Sequence, residues 1–156
     1  MKPMIKWSGG KTREIVNFKE FYPEGFARYV EPFVGGGAVF FDLNFEKDNV
    51  INDIHPDLIN FYNQIKLGNG KAIYDYMENH LNDEEVYYFV RDEFEPKNDI
   101  EKAFQFYYLR KTCYRGMLRY NKKGKFNIPF GRYKTMNYSD LLDEDYKKLL
   151  ERTEIY

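Results

Sequence analysis

The strongest pattern in the sequence is an apolar segment that runs directly into a glycine-rich turn. Residues 26–32 are largely apolar, glycines occupy positions 35–37, and residues 38–45 resume a pattern compatible with a helix. This order predicts a strand, a tight turn and a helix, because glycine adopts positive φ and allows the backbone to approach a ligand. Residues 49–53 (NVIND) predict a second strand with an acid, Asp53, at its C-terminal end.

The spacing of the remaining apolar positions predicts several helices and one more strand. Apolar residues at 15, 18 and 21 indicate an amphipathic helix over residues 12–21, which Pro23 ends. The other predicted elements are helices over residues 56–68, 71–81, 84–94, 100–114 and 140–150, a hairpin-like turn at 122–125, and a strand from 153. Strands that alternate with helices predict the α/β class.

The position of Asp53 indicates that the glycine turn belongs to a ligand-binding site. Asp53 follows Gly35 by 18 positions, at the tip of the next strand. A carboxylate about 20 residues after such a turn is placed to accept hydrogen bonds from ribose hydroxyls. The alternative is an ordinary glycine loop. Residues 8–11 (SGGK) superficially resemble the end of a phosphate-binding loop. Ile5, however, stands where that motif needs glycine, so we reject a nucleoside triphosphatase.

Composition narrows the class of protein. A chain of 156 residues with a formal net charge of −1 suits one globular domain, and no apolar run approaches the roughly 18 residues of a membrane span. The N-terminus lacks the apolar core of a signal peptide, and a single cysteine, Cys113, indicates a reducing compartment, so we expect a cytoplasmic protein. One cysteine with two distant histidines offers no metal cluster.

Positive charge is concentrated in one block. Residues 102–134 contain ten Lys and Arg side chains and no Asp or Glu, which leaves 24 − 10 = 14 basic residues against 25 acidic ones elsewhere. A solvated helix face usually mixes the two signs. The block therefore predicts a surface that binds a polyanion, and nucleic acid in particular.

Four blocks of sequence, in order, resemble the Dam-like family of DNA adenine methyltransferases. They are residues 6–11 (KWSGGK), 31–37 (EPFVGGG), 52–59 (NDIHPDLI) and 124–134 (GKFNIPFGRYK). The resemblance implies a Rossmann-like S-adenosylmethionine-dependent methyltransferase fold with a mainly helical target-recognition domain that carries a β-hairpin. It implies a cofactor-binding part at residues 1–68, a recognition domain at 69–138, and a return to the methyltransferase domain at 139–156.

The resemblance also assigns the binding residues. S-adenosylmethionine would be bound by residues from three of the four blocks, namely Trp7, Lys11, Phe33, Gly35, Gly37, Asp53 and Ile54. Within that set, Asp53 would bind the ribose hydroxyls and Ile54 would pack on the adenine. A lysine suits the carboxylate of the cofactor, and an aromatic wall can face its sulfonium cation.

Double-stranded DNA is the partner that the resemblance implies. The residues that would contact or wedge into it are Lys6, Lys111, Tyr114, Arg115, Met117, Arg119, Pro129, Arg132 and Tyr133. Arg119 suits a guanine edge, and Tyr114 suits the gap left by a flipped adenine. The family implies a GATC-like site, although Arg115 and Met117 stand where better-known members carry Asn and Leu. For any one lysine, a phosphate contact or a role in solubility alone is an equally good interpretation.

One family motif is missing. Amino methyltransferases of this class carry Asp/Asn/Ser-Pro-Pro-Tyr/Phe after the fourth strand, where it accepts hydrogen bonds from the target amine. The six prolines here include no Pro-Pro pair, and Asn127-Ile128-Pro129-Phe130 falls inside the recognition block. We therefore assign no catalytic residue and expect the chain alone to be inactive. Three explanations stay open: a fragment of a full enzyme, a second polypeptide that completes the sheet, or a DNA-binding relative without catalytic activity.

Overall fold

A small parallel sheet organises the fold. The computed structural model describes residues 1–156 and contains three strands, β1 (Arg28–Glu31), β2 (Asp48–Ile51) and β3 (Thr153–Ile155). β2 lies in the centre and pairs in parallel with both neighbours. Because parallel strands end on the same side of a sheet, the loops that follow β1 and β2 meet at one edge.

Seven α-helices accompany the sheet. They are α1 (Ile15–Phe18), α2 (Ala38–Leu43), α3 (Pro56–Lys66), α4 (Gly70–Glu78), α5 (Glu84–Asp92), α6 (Asp99–Thr112) and α7 (Glu144–Glu151). Short 3-10 turns occupy Lys19–Phe21, Tyr114–Gly116 and Ser139–Leu142. The prediction of a mixed α/β fold is therefore confirmed.

Side-chain caps explain why four helices begin where they do. His55 accepts a hydrogen bond from the Leu58 amide, and Pro56 opens α3 with its φ already suited to a helix. The Asp83, Asn98 and Asp143 side chains cap α5, α6 and α7 by accepting backbone N–H groups.

The helix predicted over residues 12–21 is much shorter in the structure. Only Ile15–Phe18 is α-helical, and a 3-10 turn follows. No side chain caps its start, Ile15 is its one buried residue, and Val16 is 79% exposed. A helix that buries so little apolar surface gains little from packing, and packing supplies most helix stability in proteins.

The predicted hairpin is a turn without regular strands. The chain reverses over residues 121–125, where the Asn121 amide donates to the Lys125 carbonyl at 2.8 Å. Isolated antiparallel bridges join Tyr120 to Phe126 and Cys113 to Phe130. Pro129 has no amide proton to extend the ladder beside Phe130, which keeps the Cys113–Phe130 pairing to a single bridge. We call residues 119–127 the recognition turn, after the recognition domain in which the sequence resemblance predicts them to lie.

Aromatic side chains form much of the core between the helices. α3 packs against both α6 and α7. The rings of Phe61 and Tyr107 stack with centroids 5.1 Å apart, and Phe41 contacts both Tyr62 and Tyr146. One continuous buried cluster includes residues from both sides of position 68. The domain boundaries at 68 and 138 stay predictions. No helix combines the length and the apolar character that a membrane crossing requires.

Close packing at the start of α4 generates a stability prediction. A Cβ on Gly70 would lie 2.2 Å from the Leu141 carbonyl oxygen, whereas a Cβ on Gly25 would meet nothing within 4 Å. Gly70→Ala should lower the free energy of unfolding by about 1–3 kcal/mol, the usual cost of overpacking. Thermal melts should show a loss of roughly 2–4 °C in Tm per kcal/mol. Gly25→Ala is the matched control, and equal melting of the two variants would contradict this packing.

Candidate functional site

A cleft of about 260 Å³ lies where β1 and β2 end. Its walls come from the segment 7–11, the segment 31–39 and Asp53. Backbone hydrogen bonds fasten the two loops together, from the Asn52 amide to the Glu31 carbonyl at 3.0 Å and from the Val34 amide to the Asn52 carbonyl at 2.9 Å. The cleft therefore has a fixed frame built from the strand ends.

The glycine turn is shaped by aromatic side chains as well as by its backbone. Gly35 and Gly37 have φ of +49° and +69°, which confirms the predicted positive φ. A Cβ on Gly35 would lie 2.7 Å from the Trp7 ring, and one on Gly37 would lie 2.8 Å from the Phe41 ring. Internal packing thus requires glycine at both positions. The sequence interpretation considered only the close approach of a ligand and did not include this reason.

Asp53 holds this turn from the opposite loop. Its Oδ2 accepts the Gly35 amide at 2.9 Å, and its Oδ1 accepts the His55 amide at 3.0 Å. An ionised carboxylate offers about four lone-pair sites, so two remain for hydroxyl donors in the cleft. The Tyr62 hydroxyl, which is buried, donates to the Gly35 carbonyl at 2.9 Å and fixes the turn from below.

Two large apolar side chains beside the cleft are almost fully exposed. Phe33, in the cleft wall, is 86% exposed, and Ile54, next to Asp53, is 95% exposed. Trp7 is half-buried, with its ring edge-on to the His55 ring at 5.6 Å between centroids. Exposed apolar side chains that gather at a cleft mark a binding surface better than isolated ones do.

Charged groups of both signs line the cleft. Lys11 keeps its ammonium on the surface, 3.6 Å from the Glu14 carboxylate. Glu31 also lines the cleft, and sequence reasoning did not select it, although it ends β1 just as Asp53 follows β2. The Tyr29 hydroxyl donates to Glu31 at 2.6 Å, and burial raises the pKa of the Glu31 carboxyl above its usual value.

Six of the predicted DNA-contacting residues lie near one another. The Lys6 ammonium is 3.8 Å from the centroid of the Tyr133 ring. The Lys6 side chain also packs so closely on Gly116 that a Cβ there would lie 2.5 Å from the lysine Cβ. The Tyr114 amide donates to the Pro129 carbonyl at 2.9 Å. Arg115 and Met117 flank Gly116, and they complete the group.

The other three predicted residues have partners within the protein. The Lys111 ammonium pairs with Asp140 at 3.0 Å and is 15% exposed, and burial lowers the pKa of Lys111. Arg132 donates to the Glu84 carboxylate at 2.9 Å, and the Arg119 Nε donates to the Asn127 side chain at 2.9 Å. Sequence alone gave no sign of these partners.

The structure divides the basic side chains of residues 102–134 into paired, buried and exposed ones. Three of the ten basic side chains form salt bridges, those of Lys102, Lys111 and Arg132, which leaves 10 − 3 = 7 without a carboxylate partner. Arg110 is buried, and the other six are exposed: Arg115, Arg119, Lys122, Lys123, Lys125 and Lys134. Arg115 and Arg132 both adopt φ of +54°, a conformation that costs energy for a residue other than glycine.

A second cavity, of about 410 Å³, lies between α5, α6 and the recognition turn. Its wall includes Arg110, whose guanidinium donates to the carbonyls of Gly116 and Met117. Basic and acidic side chains both line it, including Lys125 and Asp57. No set of three or more His, Cys, Asp or Glu side chains is grouped to hold a metal ion.

Comparison with known families identifies the class of protein. The sequence profile of the D12 class of N6 adenine-specific DNA methyltransferases matches residues 7–155. That match covers nearly the whole chain, and the chain belongs to this family.

Individual relatives of the chain are also named as methyltransferases or methylases. The chain is 49% identical over 154 residues to the Type II methyltransferase M.CviBI of Paramecium bursaria Chlorella virus NC1A, covering 98% of this chain and 59% of the relative. It is 39% identical over 178 residues to the Type II methyltransferase M.MjaIII of Methanocaldococcus jannaschii, covering 99% and 61%. A DNA adenine methylase of Haemophilus influenzae is 38% identical over 139 residues, covering 86% and 48%. The chain therefore spans about half to three fifths of the length of these relatives.

Proposed function

We propose that this chain is the cofactor-binding and DNA-recognition part of a DNA adenine methyltransferase. The reaction would transfer a methyl group from S-adenosylmethionine to the exocyclic amine of adenine at a specific, GATC-like site. The observation that carries the proposal is the cleft at the strand ends, in a chain of this family, with Asp53 held beside exposed Phe33 and Ile54. The sheet would belong to a Rossmann-like methyltransferase fold. A DNA substrate and the free thiol of Cys113 favour a cytoplasmic setting.

The chemistry of the cleft suits S-adenosylmethionine, which supplies an activated methyl group on a sulfonium cation. Asp53 has acceptor capacity left for the two ribose hydroxyls. Phe33 and Ile54 offer apolar surface to the adenine, and Trp7 offers an aromatic wall. Gly35 and Gly37 shape the floor of the cleft.

The ends of the cofactor carry opposite charges that the cleft can match. Lys11 can pair with the carboxylate, and Glu31 can accept the ammonium group. The cleft, at about 260 Å³, falls just below the roughly 300–1,000 Å³ of typical ligand pockets, which fits a site with one open side.

The DNA would lie against the exposed basic side chains and the group around Lys6 and Tyr133. Lys122 and Lys123 on the recognition turn are exposed and suited to phosphates. Arg119, oriented by Asn127, is suited to a guanine edge, and Tyr114, which is 42% exposed, to the gap left by a flipped adenine. Lys111 lies beneath the surface, so it would support DNA binding indirectly, through its ion pair with Asp140.

No residue of this chain is proposed to accept hydrogen bonds from the target amine. The segment 127–130 has the residue types of an imitation motif, but Ile128 is 1% exposed. Its carbonyl already accepts hydrogen bonds from the Tyr87 hydroxyl at 2.7 Å and the Arg91 guanidinium at 3.0 Å. We therefore propose that methyl transfer requires a further segment, in the same polypeptide or in a second one.

The free edge of β1 is the proposed attachment site for that segment. β1 pairs only with β2, and Val30 on β1 is 55% exposed. Beside it lies an open apolar depression whose walls include Tyr22, Phe26 and Leu43. An unpaired strand edge with apolar neighbours favours addition of another strand.

The absence of a Pro-Pro motif favours one alternative function, a DNA-binding module without catalysis.

Removing the exposed apolar side chains should test cofactor binding without damaging the fold. Phe33→Ala and Ile54→Ala should each weaken S-adenosylmethionine binding by about tenfold or more, because each loses roughly 1.5–3 kcal/mol of apolar contact. Calorimetric titration measures the affinity. Leu67→Ala is the control, because Leu67 is 69% exposed and lies at the far end of α3.

Unchanged affinity in both variants, with an intact thermal melt, would contradict the assignment of the cleft. Asp53→Ala is a poorer probe, because it would also strand the Gly35 and His55 amides without an acceptor.

The recognition turn should contribute to the salt dependence of DNA binding. The double variant Lys122→Ala/Lys123→Ala should make the negative slope of log K against log salt shallower by about 2, since each phosphate contact releases roughly 0.9 counterion. Fluorescence anisotropy with a duplex over a range of salt concentrations measures this slope. Lys71→Ala, an exposed lysine on α4, should leave the slope unchanged, and equal slopes for all variants would contradict the proposed DNA surface.

Methyl transfer should appear only when the missing segment is supplied. We expect label from methyl-labelled S-adenosylmethionine to enter unmethylated DNA when this chain is mixed with the unmatched part of the Chlorella virus relative. Val30→Lys should abolish transfer by charging the β1 edge, whereas Leu81→Lys, at a position 67% exposed elsewhere, should not.

Each other outcome is informative. Transfer by this chain alone would show that the acceptor residues lie within its 156 residues. No transfer by a mixture that binds both cofactor and DNA would favour the module without catalysis.

A further inference from the structure

A single hydrogen bond connects the first 68 residues with the segment 113–134, which carries most of the proposed DNA contacts. It joins the His55 Nε2 to the Tyr120 hydroxyl oxygen at 2.8 Å. The two residues are 65 positions apart, and their rings lie 5.8 Å apart between centroids. His55 has no role in the binding sites described above, and Tyr120 is absent from the proposed DNA contacts.

The histidine is anchored to the wall of the cleft. Its amide donates to the Asp53 Oδ1 at 3.0 Å, and its ring lies edge-on to Trp7, whose own ring packs on Gly35. The Nδ1 accepts the Leu58 amide at 3.4 Å. With Nδ1 an acceptor, the neutral ring carries its proton on Nε2 and donates it to Tyr120.

The charge states of the two side chains are compatible with a neutral hydrogen bond. Burial lowers the pKa of His55, although the carboxylates of Asp53 and Asp57 oppose that effect and the Arg110 guanidinium adds to it. Burial also raises the pKa of Tyr120 to about 12. At neutral pH the imidazole is therefore neutral and the phenol keeps its proton.

The tyrosine belongs to the recognition turn. It forms the bridge with Phe126 and stands between Arg119 and Asn121. The Asn121 Oδ1 accepts the amides of Lys123 and Lys125 at 2.9 and 3.0 Å, so the backbone that carries the exposed lysines is tied to the residue next to Tyr120. A displacement of the Tyr120 hydroxyl would therefore reorient this turn.

We propose that the His55–Tyr120 hydrogen bond couples occupancy of the cleft to the position of the recognition turn, with His55 as a positioning residue. This inference rests on the proposed function. A cofactor that engages Asp53 and Trp7 restrains His55 from two sides, and His55 in turn restrains Tyr120. By thermodynamic linkage, DNA held on the turn strengthens cofactor binding by the same factor.

The test compares S-adenosylmethionine affinity with and without an unmethylated duplex, measured by calorimetric titration. The unsubstituted chain should bind the cofactor at least about fivefold more tightly with DNA, the lower end of common coupling factors. Tyr120→Phe should reduce that factor to less than about twofold, with cofactor affinity in the absence of DNA changed by less than about threefold. His55→Ala should also lose the coupling, and His55→Gln, which keeps a donor, should recover part of it.

Tyr88→Phe, at a half-buried tyrosine on α5, is the matched control and should keep the full coupling factor. Hydrogen exchange gives a second readout that does not need DNA. Cofactor should slow exchange of the Asn121 and Lys125 amides in the unsubstituted chain, but not in Tyr120→Phe.

Wild-type coupling and protection in Tyr120→Phe would overturn the inference while leaving the proposed function intact, as would absence of coupling in the unsubstituted chain. Failure of the unsubstituted chain to bind S-adenosylmethionine at all would instead overturn the proposed function, and the inference with it.

Discussion

The two hydrogen bonds that Asp53 accepts are the interaction on which the site depends. Through the Gly35 amide the carboxylate fixes the turn after β1, and through the His55 amide it fixes the start of α3. Trp7 fills the space that a side chain on Gly35 would need, so a distant N-terminal segment is locked into the same corner. The cleft is therefore preorganised by groups that also build the sheet edge, and such preorganisation lowers the cost of binding a ligand.

The basic half of the chain is attached to this corner by the aromatic core. α6 packs on α3, and the stacked rings of Phe61 and Tyr107 hold the two helices in register. From the end of α6 the chain passes into the 3-10 turn at Tyr114–Gly116, which Lys6 touches from the cleft side. The residues proposed for cofactor and for DNA thus lie on one packed framework, and Lys6 and Trp7, adjacent in sequence, are proposed for one partner each.

Local signals made part of this structure predictable. The glycine turn, Asp53 and Pro56 lie within about one βαβ unit, where short-range geometry decides the conformation. The prediction was less successful where distant residues decide. Asp140 pairs with Lys111 and Glu84 pairs with Arg132, so residues distant in sequence neutralise two of the three paired charges in the basic block. The helix over residues 12–21 was predicted too long because periodicity does not reveal how little of it is buried. Glu31 could have been found by the rule that selected Asp53.

A crystal structure of the chain with S-adenosylmethionine is the most direct test of whether the corner held by Asp53 binds this compound. We expect the ribose hydroxyls on the Asp53 carboxylate and the adenine between Phe33 and Ile54. A ligand bound instead in the cavity beside Arg110, or a cleft that stays empty at saturating concentration, would contradict this expectation.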